Sequence, residues 1–184
     1  MVGLLPDLVG TDPVVVFCGQ AGADSTRPRD HYYEGAGNSF WQSLHLSGLS
    51  PRQLRPEEDH LLPGLGLGLT DLVGHERRSR VEYAELEERV ARWQPAWLAL
   101  TSKGCAAEVA RAQGLRPPGL GPAPFDVAGA AVFVLPGTSG ANQRRDYDGR
   151  PNRLAWWVDL AAIAGPELRA RGLDTPSQGG PDRR

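Results

Sequence analysis

A chain of 184 residues that is 40% hydrophobic is long enough to bury the core of one domain. Its 20 Lys and Arg residues are balanced by 22 Asp and Glu residues, and the resulting net charge of −2 excludes a general attraction to nucleic acid, so any such contact must use a local basic patch. The sequence has no signal-peptide pattern and no apolar run of bilayer length, so we expect a soluble, cytoplasmic protein.

The first predicted elements are a buried strand and two helices. Residues 14–17 form a continuous apolar run, which is typical of a strand buried on both faces. Asn38 caps a predicted helix that ends at Gly48, and Ser50 opens a second predicted helix that runs through Leu61. The first strand is therefore followed by a long loop and a helical segment.

The middle of the chain predicts two further strands, each followed by a helix. Residues 64–72 are glycine-rich and carry Leu65, Leu67 and Leu69 in alternation, which favours a strand or strand-like loop. Residues 81–93 have the spacing of an amphipathic helix. Residues 97–100 form a second buried strand, after which Ser102 caps a predicted helix that ends at Gly114. Strands that alternate with helices predict a parallel sheet in an α/β sandwich.

The last third of the chain completes the predicted domain. Val127 and residues 131–135 predict further strands, and a final helix is predicted from Leu154 to Ala164. The residues beyond it are rich in proline, glycine and charge, so we expect a single domain over residues 1–165 and a disordered tail over residues 166–184.

Three segments follow predicted strands, at the sheet edge where ligands bind in open parallel sheets. They are residues 19–38, 70–80 and 136–153. The glycine-rich run at residues 64–68 has neither dinucleotide-binding spacing nor the lysine of a phosphate-binding loop. Cys18 and Cys105 lie in apolar patterns that predict buried thiols. We therefore expect no metal and no cofactor.

Side chains in these segments could carry chemistry, but each has a structural alternative. Tyr32 and Tyr33 could stack on a planar base, or they could form a lid packed on the core. Asp71 could act as a general base or stabilise a developing cation, or it could cap the next turn. The residue pattern alone leaves these alternatives open.

A small polar loop, residues 136–142, is followed by four arginines: Arg144, Arg145, Arg150 and Arg153. Such a loop could enter a groove of DNA while the arginines contact phosphates. The alternatives are a plain connection and a solvated arginine-rich face.

Four segments taken together resemble the mismatch-specific uracil/thymine DNA glycosylases of the uracil-DNA glycosylase superfamily. They are, in chain order, VVVFCGQAGADS, GNSFWQSLHLSGLSPRQL, GLGLTDLV and FVLPGTSGANQRR. The resemblance spans residues 13–165. It implies a three-layer α/β/α sandwich around a short, mainly parallel sheet, and a monofunctional hydrolase that works without a metal or cofactor.

The resemblance also implies roles for individual residues. The implied base pocket consists of Gly19, Gln20, Ala21, Tyr33, Asn38 and Ser139. Tyr33 occupies the position of the aromatic side chain that stacks on the flipped base, and Asn38 opens the helix behind it. The implied DNA-binding residues are Gly140, Ala141, Asn142, Arg144 and Arg145. Ala141 stands where relatives present a larger wedge into the base stack.

Two motifs depart from the family pattern. Relatives commonly show GINPG after the first strand, and its Asn holds the hydrolytic water, whereas this chain has Ala21 at that position. The usual NPSG of the wedge loop is replaced by residues 137–140, GTSG. Asp71 is the compensating candidate, because relatives with GTAAG-like first motifs resemble this chain in carrying Asp in GLTD. A carboxylate can orient water and oppose positive charge on the sugar, so we predict Asp71 as the catalytic residue.

The sequence therefore predicts a monomeric DNA-repair glycosylase that flips out and excises uracil, with other deaminated or mismatched bases as further substrates. The expected partner is duplex DNA with a G:U or related mismatch, and single-stranded DNA is the alternative. We expect no association with a membrane. Two other functions stay open, namely a lesion-binding protein without turnover and a small-molecule nucleoside N-glycosidase. The arginines favour a polymer over a nucleoside, and Asp71 favours an enzyme.

Overall fold

The computed structural model describes residues 5–20, 29–72, 79–141 and 146–171. Within these ranges the elements are β1 (Val15–Gln20), α1 (Phe40–Leu46), a 3₁₀ helix (Pro56–Leu65), β2 (Leu67–Leu72), α2 (Ser79–Trp93), β3 (Trp97–Leu100), α3 (Lys103–Ala112), β4 (Gly121–Val127), β5 (Ala130–Val134) and α4 (Arg153–Ala170).

Five strands form one sheet in the order β2-β1-β3-β5-β4. The strands β2, β1, β3 and β5 are parallel, and β4 pairs with β5 in the antiparallel direction. Strand β1 lies between β2 and β3, because the chain passes from β1 to β2 on one side and then through α2 to β3 on the other side. In open sheets of this kind the crevice at the carboxyl ends of such diverging strands is the usual ligand site.

Alternate residues of the strands face two separate hydrophobic clusters, because successive side chains of a strand point to opposite faces. Phe17 and Phe133 pack on one face with Trp157 of α4 and Phe40 of α1. The other face carries a second cluster, which includes Val16, Cys18, Leu98 and Val132 from the sheet, Leu86 and Val90 from α2, and Cys105 and Val109 from α3. The sheet is therefore covered on both sides, and the predicted α/β sandwich with a mainly parallel sheet is confirmed.

Two predicted helix boundaries are wrong. The second helix does not begin at Ser50: its hydroxyl donates to the carbonyl oxygen of Arg52 in a turn, and the 3₁₀ helix begins at Pro56. The last helix does not end at Ala164 but continues to Ala170, because Leu168 is buried in the core beyond Pro166. Residues 166–171 therefore belong to the folded body, and the rest of the expected tail lies outside the described residues.

Asn38 was predicted to cap α1, but the cap position belongs to the next residue. Ser39 occupies the cap position of α1, while the side-chain oxygen of Asn38 accepts a hydrogen bond from the Phe40 backbone N–H at 3.0 Å. The predicted cap of α3 is confirmed, since the Ser102 hydroxyl accepts from the Cys105 N–H.

Of the helices described here, none is long and apolar enough to cross a membrane.

Candidate active site

A cavity of about 350 Å³ opens at the carboxyl ends of β1, β2 and β3. Its walls come from three strand ends and two loops. The lining residues are Gly19, Gln20, Arg29, Tyr32, Tyr33, Glu34, Gly35, Asn38, Asp71, Thr101, Ser102, Gly137, Thr138 and Ser139. The structure thus brings together six predicted site residues that are far apart in the sequence: Gly19, Gln20, Tyr33, Asn38, Asp71 and Ser139.

The carboxylate of Asp71 lies directly over Gly19 of the neighbouring strand. The two residues are paired in the parallel register of β1 and β2, and Asp71 is only 5% exposed. A Cβ atom at position 19 would lie 2.6 Å from Asp71 Oδ1 and 3.0 Å from the Tyr33 hydroxyl oxygen. Since no Cβ atom tolerates the shorter distance, glycine at this position is what allows both polar groups to approach the floor of the cavity.

Two arginines hold different parts of Asp71. Arg29 Nη2 donates to Asp71 Oδ2 at 3.2 Å, and Arg89 Nη2 donates to the Asp71 backbone carbonyl oxygen at 2.9 Å. Burial raises the pKa of the Asp71 carboxyl above its ordinary value, while the charge and hydrogen bond of Arg29 oppose that rise. The alternative role of Asp71, capping the next turn, concerns residues 73–78, which lie outside the described residues.

The loop that carries Arg29 and Tyr33 is anchored by two carboxylates. Glu34 Oε2 accepts from the backbone N–H groups of Asp30 and His31, which closes a tight turn. The buried Asp59 of the 3₁₀ helix accepts from the Tyr32 N–H at 3.2 Å, and one of its oxygens lies 3.3 Å from His31 Nδ1. This segment is therefore fixed to the domain rather than merely folded over the cavity.

The two tyrosines have different positions. Tyr32 is buried in the core, as in the lid alternative, and its hydroxyl donates to the Pro6 carbonyl oxygen. The Tyr33 ring stacks on Phe40, with ring centroids 3.9 Å apart and planes 8° apart, and its hydroxyl lies 3.2 Å from Thr101 Oγ1. Tyr33 also lines the cavity, so the cavity is bordered by an aromatic ring that packs on Phe40.

The protonation state of Tyr33 is set by its surroundings. Burial and then the nearby charge of Asp71 raise the pKa of the Tyr33 hydroxyl well above its ordinary value. The hydroxyl is therefore neutral at physiological pH and retains a proton that it can donate.

The remaining cavity residues supply amide and backbone groups. The oxygen of the Asn38 side chain is used by Phe40 N–H, so its NH₂ group is the part available to a ligand. Gln20 Oε1 would lie 3.2 Å from a Cβ atom at position 104, so glycine there gives the Gln20 side chain room at the start of α3. Together these amides can form hydrogen bonds with the edge of a planar polar ligand.

The loop at residues 136–141 packs against the start of α1. The Thr138 carbonyl oxygen accepts from the backbone N–H of Ser39, and a Cβ atom at position 140 would lie 2.9 Å from the Gly37 carbonyl oxygen. Gly140 therefore permits a close contact between two loops, while Ala141 at the tip is exposed. The predicted loop thus borders the cavity mouth.

Several predicted residues cannot be placed, and one has a different role. Ala21, Asn142, Arg144 and Arg145 lie outside the described residues. Arg150 is not a free part of the expected basic patch, because it forms an ion pair with Asp159 and lies over the Trp156 ring. Its charge is already balanced within the fold.

Arg29 and Thr101 are among the polar residues of the cavity that the sequence did not predict. Arg29 lies in the segment predicted to border the site, three residues before the tyrosine pair, and this position was the available signal. Thr101 directly follows β3, and its position at a strand end was the only indication.

The arrangement suits a hydrolysis reaction. A buried carboxylate, a protonated phenol and a guanidinium meet around a space suited to a planar ring, so a water molecule could be oriented and a developing cation opposed. Among the residues that the structure describes, no group of three or more His, Cys, Asp or Glu side chains is arranged to hold a metal ion.

Two comparisons relate this chain to known proteins. A family model described as the uracil DNA glycosylase superfamily matches residues 6–161. The chain is also similar to the solution NMR structure of a protein described as a "putative Uracil DNA glycosylase" from Methanosarcina acetivorans, with a TM-score of 0.54 and 19% sequence identity. That match covers 88% of this chain and 97% of the other, and at such identity it shows the shared fold.

Proposed function

The chain belongs to the uracil DNA glycosylase superfamily, and we propose that it excises uracil from DNA by hydrolysis and leaves an abasic site. The observation that carries this proposal is the Asp71 carboxylate, which lies over Gly19 at the floor of the cavity. A buried acid beside a protonated tyrosine and an arginine is suited to cleaving a bond whose transition state separates charge.

The substrate nucleotide would enter the cavity by leaving the base stack. Its base would lie against the face of Tyr33 that is opposite Phe40, and the Asn38 and Gln20 side chains would contact the polar edge of the base. Ala141, at the exposed loop tip, would lie near the vacated position in the duplex, and Arg144 and Arg145 would contact phosphates. These contacts would hold the glycosidic bond near Asp71.

The chemical step breaks the bond between the base nitrogen and the sugar carbon C1′. The electron pair of that bond leaves with the base, and the sugar gains oxocarbenium character, which the Asp71 carboxylate opposes electrostatically. A water molecule oriented by Asp71 then attacks C1′ and loses a proton to the carboxylate. Asp71 thus takes over the orienting role that the residue at position 21, an alanine here, cannot perform.

The proposed substrates include other deaminated or mismatched bases, and a G:U duplex is the reference substrate. We propose that the protein acts as a monomer. Side-chain amides such as Asn38 and Gln20 can adapt their hydrogen bonds more readily than a rigid set of backbone groups can. A cavity lined in this way favours tolerance of the base identity over strict selection of uracil.

The test uses labelled oligonucleotides that carry one uracil opposite G, opposite A or in a single strand, with cytosine in place of uracil as the matched control. After incubation with the protein, alkali should cut the strand at the uracil position and leave the cytosine control intact. Binding without scission would indicate a lesion-binding protein. Release of uracil from free deoxyuridine but not from DNA would indicate a nucleoside N-glycosidase.

A further inference from the structure

Arg29 forms an ion pair with Asp71 inside the candidate active site. Its Nη2 atom lies 3.2 Å from Asp71 Oδ2, and the exposed fractions of the two side chains are 27% and 7%. The two carboxylate oxygens therefore have different surroundings, since Oδ2 faces Arg29 whereas Oδ1 faces the cavity floor over Gly19. The ion pair therefore involves the Oδ2 atom of the carboxylate and not the Oδ1 atom.

The ionised form of Asp71 needs a nearby cation. Burial raises the pKa of the Asp71 carboxyl, and a buried carboxylate without a partner tends to keep its proton. Within the part of the chain that the structure describes, Arg29 is the cation that contacts the carboxylate itself, whereas Arg89 binds the backbone carbonyl oxygen of Asp71 and the side chain of Asp7. The negative charge of Asp7 acts in the opposite direction, and the neighbouring Tyr32, Tyr33 and Cys18 have raised pKa values and are neutral.

The position of Arg29 is imposed by the loop that carries it. Three residues further along, Tyr32 is fixed by a hydrogen bond from its N–H to Asp59, and its carbonyl oxygen accepts from Trp41 Nε1 at 3.1 Å. The Arg29 Nε atom is buried and has no hydrogen-bond partner among the described residues. A buried donor left unpaired costs free energy, so the guanidinium stays beside Asp71 at some cost to the fold.

We propose that Arg29 is a positioning residue that keeps the Asp71 carboxylate ionised and turns its Oδ1 atom toward the attacking water. The proposal rests on the proposed function, because it assigns Arg29 a part in that same reaction. Arg29 does not exchange a proton or form a bond with the substrate. It acts through Asp71 alone.

The test compares the full-length wild type with Arg29→Gln, Arg29→Lys and, as a control for the loss of one cation elsewhere, Arg111→Gln. Arg111 is exposed on α3 and pairs with Glu108, outside the cavity. Single-turnover excision of uracil is measured across a range of pH, and the Asp71 carboxyl is titrated independently by ¹³C NMR with Asp71→Asn to assign its signal.

In Arg29→Gln the rise of the excision rate with pH should move to higher pH, and the rate at mildly acidic pH should fall by roughly tenfold or more, with recovery as the pH is raised. Arg29→Lys should restore most of the wild-type profile because it keeps the charge. Arg111→Gln should leave the profile unchanged. The NMR titration of Asp71 should move in the same direction as the rate.

An unchanged pH profile and an unchanged Asp71 titration in Arg29→Gln would overturn the proposal. A loss of DNA affinity at every pH, with no movement of the titration, would overturn it in favour of a phosphate contact. If the wild type excised no base, the proposed function would fail, but a shifted Asp71 titration would still support the coupling between Arg29 and Asp71.

Discussion

Gly19 and Asp71 are register partners on adjacent strands, and the carboxylate of Asp71 occupies the space that any side chain at position 19 would need. The Tyr33 hydroxyl approaches the same point from the loop above. The absence of a side chain at Gly19 therefore permits the position of the Asp71 carboxylate on which the proposed active site depends.

Substitution Gly19→Ala should abolish most of the excision activity while the domain still folds. The added methyl group would lie 2.6 Å from Asp71 Oδ1, so the carboxylate must move away from its position. The matched control is Gly64→Ala, because a Cβ atom at position 64 would meet nothing within 4 Å. Excision rates and thermal unfolding of both variants provide the measurement, and full activity of Gly19→Ala would show that the position of Asp71 does not matter.

Substitution of Tyr33 should separate stacking from hydrogen bonding. Tyr33→Phe keeps the ring on Phe40 and loses the hydroxyl with its contact to Thr101, whereas Tyr33→Ala removes the surface for the flipped base. We expect Tyr33→Ala to lose about 1–3 kcal/mol of binding or transition-state stabilisation, as for one base stacking contact, and Tyr33→Phe to lose much less. Rates measured with a uracil duplex test this, and equal losses in both variants would assign a polar role to Tyr33.

The arginine pair after the loop at the cavity mouth should govern affinity rather than base choice. Arg144→Ala combined with Arg145→Ala should weaken binding to all DNA sequences alike and reduce the dependence of affinity on salt, because fewer counterions are released. Fluorescence anisotropy over a series of salt concentrations measures both effects. Arg150→Ala serves as the comparison, since Arg150 is already paired with Asp159, and equal effects of both changes would remove the loop from the interface.

Asp71 should cost the protein stability at neutral pH. The folded state raises the Asp71 pKa, so the native protein binds this proton more tightly than the unfolded chain does. Its contribution to stability therefore falls as the pH rises from the ordinary Asp value through the raised one. Asp71→Asn should thus unfold at a higher temperature than wild type at neutral pH, with the difference shrinking as the pH falls. A lower unfolding temperature at neutral pH would instead show that the ionised carboxylate holds the fold together.

The sequence predicted those parts of the fold that depend on local patterns. Continuous apolar runs located β1 and β3, and the serine at position 102 marked the start of α3. The second predicted helix was placed too early, at Ser50 instead of Pro56. The extension of α4 past Pro166 was not predicted, because distant packing, here the burial of Leu168, outweighs local helix propensity.

Six residues that line the cavity were predicted from the sequence, but their contacts with other residues were not. Resemblance and strand-end position selected Asp71 and Tyr33. The ion pair with Arg29 could not be predicted, because it joins residues 42 positions apart through a loop that is held by Asp59. Such a contact depends on tertiary structure, and no local sequence pattern records it.

The central claim is that Asp71 performs the chemical step of base excision. The most direct measurement is the single-turnover rate of strand scission at a G:U site, after alkali treatment, for wild type and Asp71→Asn at equal saturation with DNA. Asp71→Asn keeps the shape of the side chain and removes its charge, so the rate should fall roughly 10²–10⁴-fold while DNA affinity is kept. A rate that stays near that of the wild type, in a variant that is folded and binds DNA, would contradict the claim.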